Sequence, residues 1–185
     1  MKDLPLSEIT LRKYEKPDNL EKRELVRKIC LSLVLLQLGD SRDVIVDILM
    51  TLTAVEAGDR ITAITQPFFG NGISGEALLI FTDASMQELS KLMGYQHTIN
   101  DHQQVELGLE MSSLLNSSSI QGICSKLDIN ILLKHPSILG QHTSLTNILK
   151  AETFPRRQTL AIELNYIFSD YNITCELIIL FHEDS

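Results

Sequence analysis

Long apolar runs are absent from this chain of 185 residues. A membrane-crossing helix needs about 18 or more uninterrupted apolar residues, and the longest candidate, residues 29–38 (ICLSLVLLQL), is broken by Ser32 and Gln37. The opening segment MKDLPLSEITLRKYEKP has no apolar stretch of the kind a secretory leader carries. No membrane span and no signal peptide are therefore expected, and the expected compartment is the cytoplasm. Cysteines are few and scattered: Cys30, Cys124 and Cys175 form neither a metal-binding pair nor a disulfide framework, and each is expected to behave as a small buried hydrophobe. His97, His102, His135, His142 and His182 show no metal-ligand spacing. A phosphate loop is missing too, because Gly70-Asn71-Gly72 is not followed by Lys and Ser or Thr. No cofactor or metal is expected on this chain.

Basic residues are also scarce. Lys plus Arg number 16 against 24 Asp plus Glu, for a net charge of −8. The imbalance is uneven: residues 1–30 hold 8 basic groups and 6 acids, leaving 8 basic groups and 18 acids in residues 31–185. A body this acidic is poorly suited to nucleic acid or anionic membranes, which are bound through Lys and Arg.

What is present is an ordinary globular composition, 44 % hydrophobic and 22 % charged, long enough for one domain. Residues 1–19, punctuated by Pro5 and Pro17, read as an arm. Residues 20–185 read as one domain with a helical N-terminal part over 20–57. There Leu25, Ile29, Ser32 and Leu36 fall on one helical face up to a stop at Gly39-Asp40. Ser41 then caps a second helix through Val44, Ile48 and Leu52.

The period next shifts to 2, and residues 60–69 and 73–82 read as strands joined by the Gly70-Asn71-Gly72 turn. Asp83 is expected to cap a helix ending at Gly94, and Asn100 with Gln103 forms a capping box for the longest helix, over 101–127. Asn130–Leu133 reads as a short strand, Pro136 and Gly140 as bracketing a turn, and 158–169 and 172–182 as two strands. Strands paired through short turns and interleaved with helices make a layered α+β domain with an antiparallel sheet and long helices.

The long helix carries the chemistry. At 100° per residue, His102, Gln103, Glu106, Glu110, Ser113, Ser117 and Gln121 share one stripe. Glu106 and Glu110 are a like-charge pair at i,i+4, and no Lys or Arg occurs between Lys91 and Lys126. Such a pair costs a few tenths of a kcal/mol. A solvated face with acids near the positive end of the helix dipole accounts for the stripe without any function. The small residues Gly108, Ser112, Ser119 and Gly122 lie on the inner side, where they permit close approach to another layer.

The spacing Glu106-x-x-x-Glu110-x-x-Ser113, followed by Pro136 and Gly140, resembles the signature of the CheC/CheX chemotaxis phosphatases. In that family a helix carries an acid or Ser, then Glu, then Asn, with a distant Pro. Residues 72–94 (GISGEALLIFTDASMQELSKLMG) are similar to the family's glycine-led strand and following helix. Residues 105–127 (VELGLEMSSLLNSSSIQGICSKL) are similar to its motif helix, and 135–140 (HPSILG) to its Pro-x-x-x-Gly turn. A single motif helix is closer to CheX than to CheC.

The resemblance implies a fold of the CheC/CheX type. It also implies a partner, the phosphorylated receiver domain of a CheY-type response regulator, whose phospho-aspartate these proteins hydrolyse. Glu106, Glu110, Ser117 and Pro136 would make the partner contact, and Glu110 and Ser113 would be the catalytic pair. Mg²⁺ would be supplied by the receiver. Ser113 stands where the family has the Asn that orients the attacking water. Its hydroxyl donates and accepts as an amide does but reaches less far, and a 1 Å misplacement can cost about 100-fold in rate. Asn116, about 60° from Ser113 around the wheel, is the nearest amide. The alternative is a non-catalytic module of the same fold that binds a response regulator or a flagellar-switch component. A homodimer through an unpaired C-terminal strand is a further expectation.

Overall fold

The computed structural model describes residues 29–40, 55–56, 58–95, 97–151, 158–168 and 170–183. The arm over 1–19 and the helix expected after Ser41 lie outside them. Seven strands are described: β1 (Ile29–Asp40), β2 (Ile61–Gly70), β3 (Ile73–Thr82), β4 (Leu132–Leu133), β5 (Ser137–Thr143), β6 (Gln158–Phe168) and β7 (Ile173–Glu183). Three helices accompany them: α1 (Asp83–Leu92), α2 (Asp101–Lys126) and α3 (Leu145–Ala151). One antiparallel sheet runs in the order β1-β6-β7-β3-β2-β4, with β5 pairing on β2 beside β4.

The centre of the sheet is buried on both faces, which explains the almost continuous apolar run of β7, ITCELIILFHE. Successive side chains point to opposite sides. Leu79, Phe81, Leu164, Leu177 and Ile179 face α1 and α2, while Ala63, Ile80, Ile178 and Leu180 pack with Ile148 of α3. The helices thus sit on both sides of the sheet. Only α2, at 26 residues, is long; α1 has 10 and α3 has 7.

Four expectations are corrected. Residues 29–40 are a strand, not part of a helix; β1 pairs with β6 from Ile29↔Phe168 to Asp40↔Gln158. A short run this apolar satisfies the helical and the buried-strand pattern alike, and the free hydrogen-bonding edge of β6 decides between them. Residues 137–143 form strand β5 on the edge of β2, with register shifts near Ala63, rather than a turn between Pro136 and Gly140. The C-terminal strand is not an edge: β7 is paired with β6 on one side and β3 on the other, so it offers no free edge for a dimer. At α1 the capping residue is Thr82, whose hydroxyl accepts from the Ser85 amide, with Asp83 as the first helical residue.

Gly75 of β3 is required by packing. Phe68 and Phe181 sit on the strands to either side, in register with it. Their rings meet edge to face over the gap, with centroids 5.2 Å apart. A Cβ at Gly75 would lie 2.1 Å from the Phe68 ring and 2.3 Å from the Leu180 carbonyl oxygen. The carbonyl is backbone and cannot step aside. Gly75→Ala is expected to lower the unfolding free energy by about 3 kcal/mol, the upper range for overpacking. Urea melts followed by circular dichroism measure this, and an unchanged midpoint would show that the strands separate freely.

Candidate functional site

The site is built on α2. Asn100 caps it by accepting from the Gln103 amide at 3.0 Å while the Gln103 side chain accepts from the Asn100 amide at 3.1 Å. This reciprocal capping box satisfies two helix-end donors and sets where the helical phase begins. From that start His102, Glu106, Glu110, Ser113 and Gln121 emerge on the exposed side, with Gln103 and Ser117 half-buried beside them. The stripe read from the sequence is therefore present as one surface, with Glu106, Glu110 and Ser113 all exposed.

The buried side of α2 is less apolar than a simple amphipathic reading implies. Besides Leu107, Met111 and Leu115 it buries Gln104, Ser112, Asn116 and Ser119. Gly108 lets the helix approach β2: a Cβ there would lie 2.8 Å from Ile64 Cδ1. The serines are occupied internally. Ser118 donates to the Leu114 carbonyl and Ser119 to the Leu115 carbonyl, both at 2.7 Å. Ser119 has spent its only proton, so it accepts from the Tyr166 hydroxyl. Burial pushes the Tyr166 phenol well above its ordinary value, so it stays a donor. Ser117 donates to the Ser113 carbonyl. The Ser117 proton is therefore committed within the helix, and its oxygen keeps its lone pairs.

Asn116 does not share the exposed stripe. It is fully buried, and its amide donates to Gln66 Oε1 at 3.0 Å and to Ser112 Oγ at 2.8 Å. Its amide is thus committed to the interior and is not presented beside Ser113. Gln66 is not legible as a site residue in the sequence; the only signal is a single amide side chain within the β2 run ITAITQPFFG. Pro136 is half-buried immediately before β5, two residues after Lys134. Lys134 is anchored to β2, its amide donating to the Pro67 carbonyl at 2.8 Å. Its ammonium lies over the Phe69 ring, 5.5 Å from the centroid.

A second cluster joins the helix starts. His142, at the end of β5, sets Nδ1 2.7 Å from Asp83 Oδ2 and Nε2 3.4 Å from Asp101 Oδ1. These carboxylates belong to the first residues of α1 and α2, where the helix dipole favours negative charge. Gln141 also donates to the Asp101 carbonyl at 3.0 Å. The hydrogen bond to Asp83 raises the His142 pKa above the usual imidazole value, with Asp101 acting in the same direction and partial burial opposing them.

Among the described residues no group of three or more His, Cys, Asp or Glu is arranged to hold a metal ion. No described helix is long and apolar enough to cross a membrane. Cys124 and Cys175 are buried free thiols, both pushed up by desolvation. A cavity of about 490 Å³ opens at the start of α1, lined by residues that include Asp59, Arg60, Asp83 and Asn165, and none of Glu106, Glu110, Ser113, Ser117 or Pro136 borders it. The stripe lies on the outer side of α2, away from that cavity.

No family model matches the sequence, and no curated protein matches it. Solved structures do. A CheC-like superfamily protein from Shewanella sp. PV-4 superposes with a TM-score of 0.54 at 13 % identity, covering 96 % of this chain and 95 % of that one. The chemotaxis protein CheX from Vibrio vulnificus gives 0.55 at 8 % identity, covering 96 % and 97 %. The CheX chain in a CheX–CheY–BeF3–Mg²⁺ complex from Borrelia burgdorferi gives 0.52 at 10 % identity, covering 96 % and 94 %. The chain therefore has the CheC/CheX fold over nearly its whole length.

The His142 cluster has a pH signature. A histidine whose pKa is raised by folding contributes stability that is fully present below its unfolded value, near 6.5, and is lost as pH rises through the higher folded value. Thermal melts between pH 5 and 9 are expected to show a fall in Tm over that window, and His142→Gln is expected to flatten it. An equal slope in the variant would assign the titration to another group.

Proposed function

We propose that this chain is a CheX-type protein that docks through the exposed stripe of α2 on the phosphorylated receiver domain of a CheY-type response regulator. The observation that carries the reading is the placement of Glu106, Glu110 and Ser113 together on the exposed side of the long helix, in a fold shared with a CheX solved in complex with CheY. An acidic stripe suits a surface that presents a lysine beside a phosphoryl group. Glu110 and Glu106 would meet that lysine, Ser117 would accept from a donor, and Pro136 would border the contact. The reading places the protein in the cytoplasm with its receiver.

Ser113 is the residue positioned for catalysis. Its hydroxyl would hold a water in line with the phosphorus. The water oxygen forms a bond to phosphorus as the aspartyl oxygen–phosphorus bond breaks; the aspartate leaves as a carboxylate, and both water protons end on the released phosphate, which exchanges them with solvent. Mg²⁺ on the receiver would supply charge stabilisation. Positioning is most of what phosphoryl transfer requires from a protein. A hydroxyl stops short of where an amide would act, so hydrolysis is expected to be slow. The same shortfall favours the second reading, a docking module without phosphatase activity.

Phosphate release from a CheY receiver charged with acetyl phosphate separates the readings. The wild type is expected to accelerate release weakly, and Ser113→Asn to accelerate it by at least a further factor of about 10. No acceleration by the wild type, with a gain in Ser113→Asn, assigns the chain to the docking module. Glu110→Ala is expected to weaken binding to a beryllofluoride-activated receiver by about tenfold, within the range for a charge pair at an interface. Unchanged affinity would remove the docking mechanism from both readings.

A further inference from the structure

The exposed stripe and Pro136 lie on separate elements, and a surface made from both works only if their relative setting is defined. Apolar packing of Leu107, Met111, Leu115 and Ile120 sets it in part. The side of α2 that faces the sheet includes Gly108, Ser112, Ser119 and Gly122, all buried. Small side chains allow close approach but interdigitate little, and hydrophobic contact has no direction. Directional bonds run through the same interface. Asn116 donates to Ser112 Oγ at 2.8 Å and to Gln66 Oε1 at 3.0 Å, and Gln66 Nε2 donates to the Lys134 carbonyl oxygen at 2.8 Å. Gln66 and Asn116 are 4 % and 0 % exposed. The series starts on the inner surface of α2 behind Ser113, crosses β2, and ends two residues before Pro136.

The geometry points to Gln66 and Asn116 as positioning residues that fix the rotation of α2 relative to the turn carrying Pro136. Each bond in the series has one sense. Turning the Asn116 amide over would face its oxygen with the Gln66 oxygen, and turning Gln66 over would face its oxygen with the Lys134 carbonyl. A helix rotated by one residue would carry Asn116 about 100° away and break the link. The series is also not what stability alone favours. Asn116 Oδ1 has no hydrogen-bond partner among the described residues, and an apolar pair of similar volume would avoid that buried orphan. The significance for docking rests on the receiver-binding reading above; the brace itself does not.

Two variants test it. Gln66→Met keeps the volume and removes both of its bonds; Asn116→Ala removes the helix end. Ile178→Val, in the core on the opposite face of the sheet, controls for general loosening. Amide exchange by NMR reads the turn directly, through the Lys134 amide bonded to the Pro67 carbonyl. Both brace variants are expected to accelerate Lys134 exchange about tenfold, the loss of roughly one hydrogen bond in a local opening, with central-strand amides such as Leu177 unchanged. Both are expected to weaken binding of a beryllofluoride- and Mg²⁺-loaded CheY receiver about tenfold, with Ile178→Val moving neither readout. Unchanged Lys134 exchange in both variants, or an equal effect of Ile178→Val, overturns the brace. Faster exchange with full binding, while Glu110→Ala does lose binding, overturns the positioning role. Faster exchange with binding intact in Glu110→Ala as well overturns the docking reading and leaves the brace standing.

Discussion

The contact between α2 and β2 is the constraint on which the candidate site depends. Gly108 brings the helix against Ile64, where a Cβ would lie 2.8 Å from Cδ1. Gln66 and Asn116 give the contact a direction. Once the inner side of the helix is committed to β2, the outer side has no freedom left. Glu106, Glu110 and Ser113 face solvent because Leu107, Met111 and Leu114 cannot. The exposed stripe is thus the complement of the core contact, and each buried residue on α2 also sets what the stripe presents.

Charge is arranged with similar economy. The count of −8 suggests a uniformly acidic body, yet the acids are divided among different environments. Glu106 and Glu110 are exposed on α2. Asp83 and Asp101 are engaged by His142 at the helix starts. Glu163 and Glu176 are buried in the sheet, where Asn165 donates to Glu176 at 2.8 Å. Desolvation and the neighbouring Glu176 hold the Glu163 carboxyl above its ordinary range. The field at the surface is therefore not the field the composition implies. Of these acids, Glu106 and Glu110 lie on the exposed helix face.

Local signals were legible in proportion to how local their physics is. The Asn100–Gln103 capping box, the turn at Gly70–Gly72 and the strands expected at 158–169 and 172–182 follow from short-range preferences, and the strands run from Gln158 to Phe168 and from Ile173 to Glu183. The helix stripe was legible because a 26-residue helix repeats its period many times. The strand β1 was not, because an apolar run of this length fits either period and the deciding partner, β6, lies more than a hundred residues away. The same holds for β5, whose strand character comes from pairing with β2 across a register shift. Asn116 looked like a possible neighbour of Ser113 on a helical wheel; only Gln66, fifty residues earlier, shows that it belongs to the interior.

By itself the sequence determined the elements whose evidence is periodic or adjacent: the long capped helix, its acidic outer stripe, and an antiparallel α+β architecture. Tertiary structure decided which strand stands where, that the C-terminal strand is central, and that Asn116 and Gln66 are bonded to each other. It also decided that His142 joins two helix starts. The physical reason is one of range. Periodicity and capping are settled within a few residues, whereas strand pairing and buried polar bonds depend on partners that the chain brings together only when it closes its sheet.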